Sequence, residues 1–162
     1  MSNDDKTIIP REGILSIPLY IGGKSGSDRL SNPIKLSANE NPYGPSRKAI
    51  ETFKQSQDNL AVYPDGNHAA LRIAIGDAMG INSKRIICGA GSDELIHFLC
   101  QCYATKGDEI IHTVHGFAMY RISALTVGAT PIAIKEVERH ADIPGIIKAC
   151  NERTKIIFLA NP

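Results

Sequence analysis

The chain has 162 residues, enough for one domain that buries about 68 to 70% of its unfolded surface. Its 18 Lys and Arg residues nearly balance 17 Asp and Glu residues, and the basic residues are scattered, so the charge pattern argues against a nucleic-acid partner. The first six residues are polar, and no apolar run approaches the roughly 18 residues of a membrane span, so we expect a cytoplasmic protein without a membrane partner.

The predicted elements begin after a segment that has no periodicity. Residues 1–35 contain three prolines and a Gly-rich run, which predicts an extended arm lying across another part of the molecule. Ser46 is a helix-capping residue ahead of an apolar stripe, so a helix is predicted to about Gln57. A second helix is predicted over about 67–79, with Gly80 as its stop.

From residue 85 onward, apolar runs alternate with helical stripes. Strands are predicted over 85–88, 109–114, 130–134 and 155–159, and helices over 92–103, 117–127 and 143–151. Because continuous apolar strands alternate with helices, the pattern predicts an α/β fold with a parallel sheet covered on both faces. Ala160, Asn161 and Pro162 follow the last predicted strand at once, so we expect a chain that is truncated within its fold.

Cysteine and histidine spacing gives no strong metal signal. Cys100 and Cys102 are two apart on a predicted helix and so point to different faces, while the other two cysteines lie in apolar runs. We therefore expect buried, reduced thiols. His112 and His115 form an HxxH pair at a strand end, but no cysteine or carboxylate follows at ligand spacing, which disfavours a zinc site.

The turn after the first predicted strand has the sequence Gly89-Ala90-Gly91-Ser92-Asp93-Glu94. Glycines allow close approach of a ligand, and a helix start offers unpaired N–H groups and the positive end of its dipole, so the turn is a candidate phosphate site. Helix capping by Ser92 and Glu94 explains the same residues equally well. The turn lacks the Gly-Lys-Ser/Thr of a P-loop and the third glycine of a dinucleotide fingerprint, which disfavours both kinds of nucleotide site.

The second predicted strand is followed by His115-Gly116-Phe117-Ala118-Met119-Tyr120, in which Phe117 is the candidate ring-stacking residue. An aromatic side chain at the carboxyl end of a parallel strand, beside a phosphate turn, is placed to lie flat on an aromatic cofactor ring. The alternative is that Phe117 and Tyr120, three apart on one helix face, are core residues. Two loops, at 38–45 and 63–66, are rich in Asn, Pro, Asp and Gly, and each alone is typical of an ordinary turn.

Taken together, these segments resemble the fold-type I aminotransferases that use pyridoxal 5'-phosphate (PLP), and within them the histidinol-phosphate aminotransferases. The segments that carry the resemblance, in chain order, are Lys35-Leu36-Ser37-Ala38-Asn39-Glu40-Asn41-Pro42-Tyr43-Gly44-Pro45, Tyr63-Pro64-Asp65, Gly89-Ala90-Gly91-Ser92-Asp93-Glu94, Phe117-Ala118-Met119-Tyr120 and Ala160-Asn161-Pro162. The resemblance implies part of a three-layer, parallel-sheet large domain. Residues 1–38 would be an arm and small-domain segment, and residues 39–162 the incomplete first part of the PLP-binding domain.

The resemblance also implies PLP as the cofactor and assigns residues to its site. Gly91, Ser92 and Asp93 would hold the cofactor phosphate through backbone and side-chain contacts. Phe117 takes the place of the aromatic residue, often tyrosine, that stacks on the pyridine ring.

Three further positions follow from the resemblance alone. Tyr63 corresponds to the tyrosine that reaches the cofactor phosphate of the neighbouring subunit in a homodimer. Tyr20 corresponds to an arm residue that lines the substrate pocket, and Asn41 to a loop residue near the substrate.

The Schiff-base lysine of the family has no counterpart among the lysines present, so no catalytic residue is assigned and we expect the chain alone to be inactive.

The implied reaction exchanges an amino group between L-histidinol phosphate and 2-oxoglutarate, giving imidazole acetol phosphate and L-glutamate in histidine biosynthesis. The alternatives left open are a non-catalytic remnant of a disrupted gene, an aromatic amino acid aminotransferase and a threonine-phosphate decarboxylase.

Overall fold

The computed structural model describes residues 8–20 and 40–161. These residues form two compact units: the sheet unit, of residues 8–19 and 87–161, and the helical unit, of residues 20 and 40–86. The predicted boundary between residues 38 and 39 lies outside the described residues and stays a prediction. Among the described residues, no helix is both long enough and apolar enough to cross a bilayer.

The helical unit contains two helices joined by loops. Its elements are α1 (Arg47–Ser56), α2 (Ala69–Met79) and short 3-10 turns at Gln57–Asn59 and Ser83–Arg85. The side chain of Ser46 accepts a hydrogen bond from the Ala49 N–H at 3.2 Å. This is the N-cap that the sequence predicts for α1. Gly80, with φ 67°, ends α2 in the left-handed conformation that glycine adopts readily. Both predicted helices are confirmed.

The predicted strand over 85–88 is wrong. Arg85 closes a 3-10 turn, and Ile86 (φ −107°, ψ 131°) begins an extended stretch that pairs with none of the described strands. The apolar sequence does favour extended backbone, but a strand also needs a hydrogen-bonded neighbour. Ile87 is accordingly 78% exposed.

The sheet unit alternates helices with parallel strands. Its elements are a 3-10 turn at Ile14–Ser16, α3 (Gly91–Tyr103), β1 (Glu109–Thr113), α4 (Ala118–Thr126), β2 (Thr130–Ile134), α5 (Ile143–Ala149) and β3 (Thr154–Phe158). The strand order is β2-β1-β3, and both pairings are parallel. Each of these helices and strands lies within two residues of its predicted bounds, so the predicted α/β fold is confirmed.

The core lies on both sides of β1. Ile110 and Ile111 are both fully buried, and successive strand residues point to opposite faces, so both faces of the sheet are covered at β1. Ile110 packs with Cys100 of α3, Ala124 of α4 and Ala129. Burying a side chain of this size stabilises the folded state by roughly 1.5–3 kcal/mol.

Strand β2 carries a proline. The Thr130 N–H donates to the Asp108 carbonyl and the Val114 N–H donates to the Ile134 carbonyl, both at 2.9 Å, so residues 130, 132 and 134 direct their backbone groups toward β1. Pro131 therefore directs its backbone toward the outer edge of β2. Because proline has no N–H, that edge lacks a donor at this residue.

Residues 8–19 are attached to the sheet unit by two polar contacts. Arg11 donates from Nη2 to the Thr126 carbonyl at the end of α4, at 2.6 Å, where a cation is favoured by the helix dipole. Glu12 and Lys106 form an exposed ion pair at 2.8 Å. These contacts fasten residues 8–19 to the sheet unit. The predicted arm over residues 1–35 stays a prediction, because only part of it lies within the described residues.

All four cysteines are free. Cys100 is buried and Cys102 exposed, as the two-residue spacing predicts, and burial raises the pKa of the Cys100 thiol to about 11. The expectation that the thiols are buried is wrong for Cys102, which lies on the exposed face of α3, and for Cys150, which follows the end of α5; Cys88 is half-buried.

Candidate functional site

The first turn of α3 has a left-handed residue at its start. Gly91 has φ 78°, a conformation that favours glycine, and its N–H donates to the Gly89 carbonyl at 2.8 Å. The predicted cap at Ser92 is wrong, because the left-handed glycine starts the helix one residue earlier and Ala90 takes the N-cap position. The Glu94 carboxylate accepts the Ala90 N–H at 2.6 Å and performs the capping.

This arrangement leaves Ser92 and Asp93 open to solvent. Both residues are exposed, and within residues 8–20 and 40–161 neither side chain has a hydrogen-bond partner. The first N–H groups of a helix also have no acceptor within the helix. The start of α3 therefore offers a hydroxyl and backbone donors at the positive end of a 13-residue helix, a combination that suits an anion.

Phe117 lies at the start of α4 but outside the helix, as its N-cap residue. Phe117 is 38% exposed, and its ring meets the ring of Tyr120 edge-on, with centroids 6.0 Å apart and an interplanar angle of 89°. Tyr120 in turn stacks on Phe158 of β3, with centroids 4.7 Å apart and an angle of 6°. Phe117 is thus the partly open end of an aromatic row and not a core residue.

The loop before Phe117 is tightly packed at Gly116. A Cβ atom there would lie 3.0 Å from the Thr113 carbonyl oxygen, 3.1 Å from the Thr113 hydroxyl and 3.3 Å from the Tyr120 ring. The Gly116 N–H also donates to the Thr113 carbonyl at 3.0 Å. Only glycine fits this position without displacing its neighbours.

The connections bring the start of α3 and Phe117 to the same edge of the sheet. A five-residue link joins the end of α3 to the start of β1, so α3 runs back along the sheet and begins near the carboxyl end of β1. Phe117 follows that carboxyl end, and α3 packs against α4. Ligands of open parallel sheets bind at this edge, so Gly91, Ser92, Asp93 and Phe117 form one candidate site.

A hydrogen-bonded pair that the sequence analysis missed lies at the same edge. Glu136, two residues beyond β2, accepts the His115 N–H at 2.8 Å through Oε1 and lies 2.9 Å from His115 Nδ1 through Oε2. These hydrogen bonds, the backbone one first, lower the pKa of Glu136 to about 2. The available signal was a carboxylate two residues after an apolar strand, but its hydrogen-bond partner could not be derived from the sequence.

The two histidines of the HxxH pair have separate environments. His112 is buried, with Nδ1 2.8 Å from the Thr113 carbonyl, whereas the His115 side chain is exposed beside Glu136. In the part of the chain that the structure describes, no group of three or more His, Cys, Asp or Glu residues is placed to hold a metal ion.

The other three candidate residues belong to the helical unit. Tyr63 is 93% exposed and Tyr20 is 55% exposed. Asn41 has a local role, because its Oδ1 accepts the Tyr43 N–H at 3.0 Å and so turns the chain. The sheet unit thus brings together four of the seven predicted positions, and the helical unit carries the remaining three.

The loop that contains Tyr63 also has a capping function. The Asp65 carboxylate accepts the N–H groups of Ala69 and Asn67, each at 2.9 Å, at the start of α2. The hydrogen bond from Ala69, followed by that from Asn67, lowers the pKa of Asp65. This loop is therefore held in place by the helix that follows it.

Comparison with known proteins identifies the family. Residues 31–162 match the family described as aminotransferase class I and II. The chain belongs to this aminotransferase family. The histidinol-phosphate aminotransferase of Ruegeria sp. (strain TM1040) is 53% identical over 155 residues, which are 96% of this aminotransferase chain and 43% of the relative. The chain therefore spans less than half the length of the curated relatives it matches, and it corresponds to their amino-terminal part.

Solved structures establish the aminotransferase fold independently. The histidinol-phosphate aminotransferase of Sinorhizobium meliloti, solved in complex with pyridoxal-5'-phosphate, superposes with a TM-score of 0.67 at 20% identity, over 69% of this chain and 30% of that one. A putative histidinol-phosphate aminotransferase of Erwinia carotovora atroseptica gives 0.71 at 22% identity, over 89% of this chain and 41% of that one. The predicted fold class, part of a fold-type I aminotransferase, is confirmed.

Proposed function

We propose that this chain provides the phosphate-binding and ring-binding part of a PLP site in an enzyme that exchanges an amino group between L-histidinol phosphate and 2-oxoglutarate. The proposal rests on one observation: the partly exposed Phe117 lies at the same sheet edge as the first turn of α3, where the Ser92 side chain has no hydrogen-bond partner among the described residues. The name of the Ruegeria relative supports the choice of substrate. The enzyme would act in the cytoplasm, in histidine biosynthesis.

The first turn of α3 suits the phosphate of PLP. The left-handed Gly91 has no side chain to keep the ligand away, and the Ser92 hydroxyl is free to donate to a phosphate oxygen. The Asp93 carboxylate would repel a phosphate of the same charge, so Asp93 contributes its backbone N–H. This division of roles refines the assignment that the resemblance implies.

Phe117 suits the cofactor ring. Its edge-on contact with Tyr120 fixes the ring plane, and its partial exposure leaves apolar surface for a flat ligand. PLP, when bound, supplies an electron sink for the carbon atom that gains or loses the amino group. Phe117 then orients the ligand ring and excludes water from one of its faces.

The exposed residues of the helical unit complete the proposal. In a homodimer, Tyr63 would reach the cofactor phosphate bound by the partner subunit, and a hydroxyl on a nearly fully exposed side chain is free to do so. Tyr20 and Asn41 would lie on the substrate side. No lysine of this chain is assigned to the covalent attachment of PLP, so the chain alone should not turn over substrate.

Genetic complementation tests the function. The chimera, defined here as this chain followed by the carboxyl-terminal part of the Ruegeria relative, is expressed in a histidine auxotroph that lacks its own histidinol-phosphate aminotransferase. We expect growth without histidine for the chimera and none for the chain alone. Growth supported by the chain alone would contradict the missing-lysine argument. Failure of a purified, folded chimera to bind PLP would contradict the proposed site.

Two substitutions separate the roles of neighbouring residues in the phosphate turn. Ser92→Ala in the chimera removes one hydrogen bond to a charged ligand, and we expect PLP to bind about tenfold more weakly. Asp93→Asn should leave PLP binding equal or slightly tighter, because it removes a like charge. Equilibrium titration followed by cofactor absorbance measures both. Weaker binding by Asp93→Asn together with unchanged binding by Ser92→Ala would reverse the assignment.

A further inference from the structure

We propose that Glu136 is a positioning residue for Phe117: its carboxylate fixes the loop that presents the aromatic ring to the cofactor. The inference rests on the proposed function, and it adds a residue that neither the sequence motifs nor the family resemblance points to. It concerns how the ring is held and not the chemical step.

The carboxylate continues the pairing of β1 with β2 beyond the strands. The Val114 N–H donates to the Ile134 carbonyl at 2.9 Å, which is the last backbone bond of this pair. One residue later, the His115 N–H donates to Glu136 Oε1 at 2.8 Å. A side chain thus accepts the next hydrogen bond and anchors the loop to the neighbouring strand.

Both oxygens of the Glu136 carboxylate bind His115. Oε2 lies 2.9 Å from His115 Nδ1, so one residue of the loop is bound through both its backbone and its side chain. The Glu136 side chain is only 12% exposed. A carboxylate with so little exposure to solvent needs hydrogen-bond donors from the protein. Both hydrogen bonds are donated by His115, two residues before Phe117.

The ring is consequently held from two sides. Only Gly116 separates His115 from Phe117, and Gly116 is itself packed against Thr113 and Tyr120. On the far side, Phe117 is held by its edge-on contact with Tyr120. Without Glu136, the backbone at His115 would lose its partner, and only the packing of Gly116 and the Tyr120 contact would hold the ring.

The experiment compares Glu136→Ala, Glu136→Gln and the control Glu152→Ala in the chimera. Glu152 is an exposed carboxylate outside the loop. We expect Glu136→Ala to weaken PLP binding about tenfold and to reduce the circular dichroism of bound PLP, which reports a fixed ring orientation. Glu136→Gln should lie between wild type and alanine, because its amide oxygen still accepts the His115 N–H. Glu152→Ala should match wild type.

A double-mutant cycle with Phe117→Leu separates positioning from general stability. If Glu136 acts through the ring, Glu136→Ala should weaken PLP binding no further once Phe117→Leu is present. Additive losses, or wild-type binding and dichroism in Glu136→Ala, would overturn the proposal.

Failure of the proposed function gives a different result. In that case the wild-type chimera binds no PLP at all. Amide hydrogen exchange at residues 115–117 without cofactor then tests the anchor itself: loss of protection in Glu136→Ala supports it, and unchanged protection refutes it.

Discussion

Replacement of Gly91 by alanine in the chimera is expected to weaken PLP binding by tenfold or more. Gly91 has φ 78°, and an alanine held there costs about 1–2 kcal/mol. No atom lies within 4 Å of the position that the new Cβ would take, so the protein itself does not block the substitution. The expected loss therefore comes from the backbone, which relaxes toward negative φ and redirects the N–H groups, and from a methyl group at the phosphate.

Gly107→Ala is a matched control for this substitution. Gly107 has φ 96°, and again no atom lies within 4 Å of the place that a Cβ would occupy, but this glycine is in the link before β1, at the opposite edge of the sheet. Both variants should lower the melting temperature by similar amounts, and only Gly91→Ala should weaken PLP binding. Equal PLP affinities in the two variants would contradict the phosphate site at α3.

The 162-residue chain expressed alone is expected to lack a cooperative unfolding transition and to aggregate. Few of the described hydrophobic residues are buried. The buried ones are Ile96, Cys100, Ile110, Ile111, Ala124, Ala129 and Ile146. Helix α1 buries no residue, and Phe53 on it is 80% exposed. Apolar surface left in water does not offset the conformational entropy lost on folding.

Differential scanning calorimetry and light scattering measure this outcome. The chain alone should give a broad transition, bind a hydrophobic dye and scatter light at micromolar concentration. The chimera, under the same conditions, should melt cooperatively and serves as the control. A sharp melt from a monodisperse solution of the chain alone would show that the core identified above is sufficient.

The periodic elements could be predicted because their signals are local. The predicted bounds of β2 match the observed ones, and α3 begins one residue earlier than predicted because of the left-handed Gly91. Parallel pairing follows from the alternation of apolar runs with helices. These properties depend on residues near one another in the sequence.

The wrong and the missed predictions involve residues whose partners are distant in the sequence. The stretch at 85–88 has a strand-like composition but pairs with none of the described strands. Glu136 acts on His115, 21 residues away, through the register of β1 with β2. Register cannot be derived from composition, so the anchor on the loop was not visible in the sequence.

The candidate site was predictable in part. The glycines around Ala90 are identifiable from their place before α3, and Phe117 from its place after β1; the topology brings both to one edge of the sheet. The edge-on Tyr120 contact that orients Phe117 depends on side-chain packing and could not be predicted. The roles of Tyr20, Asn41 and Tyr63 stay predictions.

Pro131 determines at which edge the sheet can accept a further strand. With no amide hydrogen to offer on its outer side, β2 is a poor template for another strand, whereas the outer side of β3 carries no proline. Any additional strand, whether from the same polypeptide or from another molecule, is therefore favoured to dock beside β3. The proline thereby leaves the sheet open to strand addition at β3 and hinders it at β2, which also limits edge-to-edge pairing of β2 between copies.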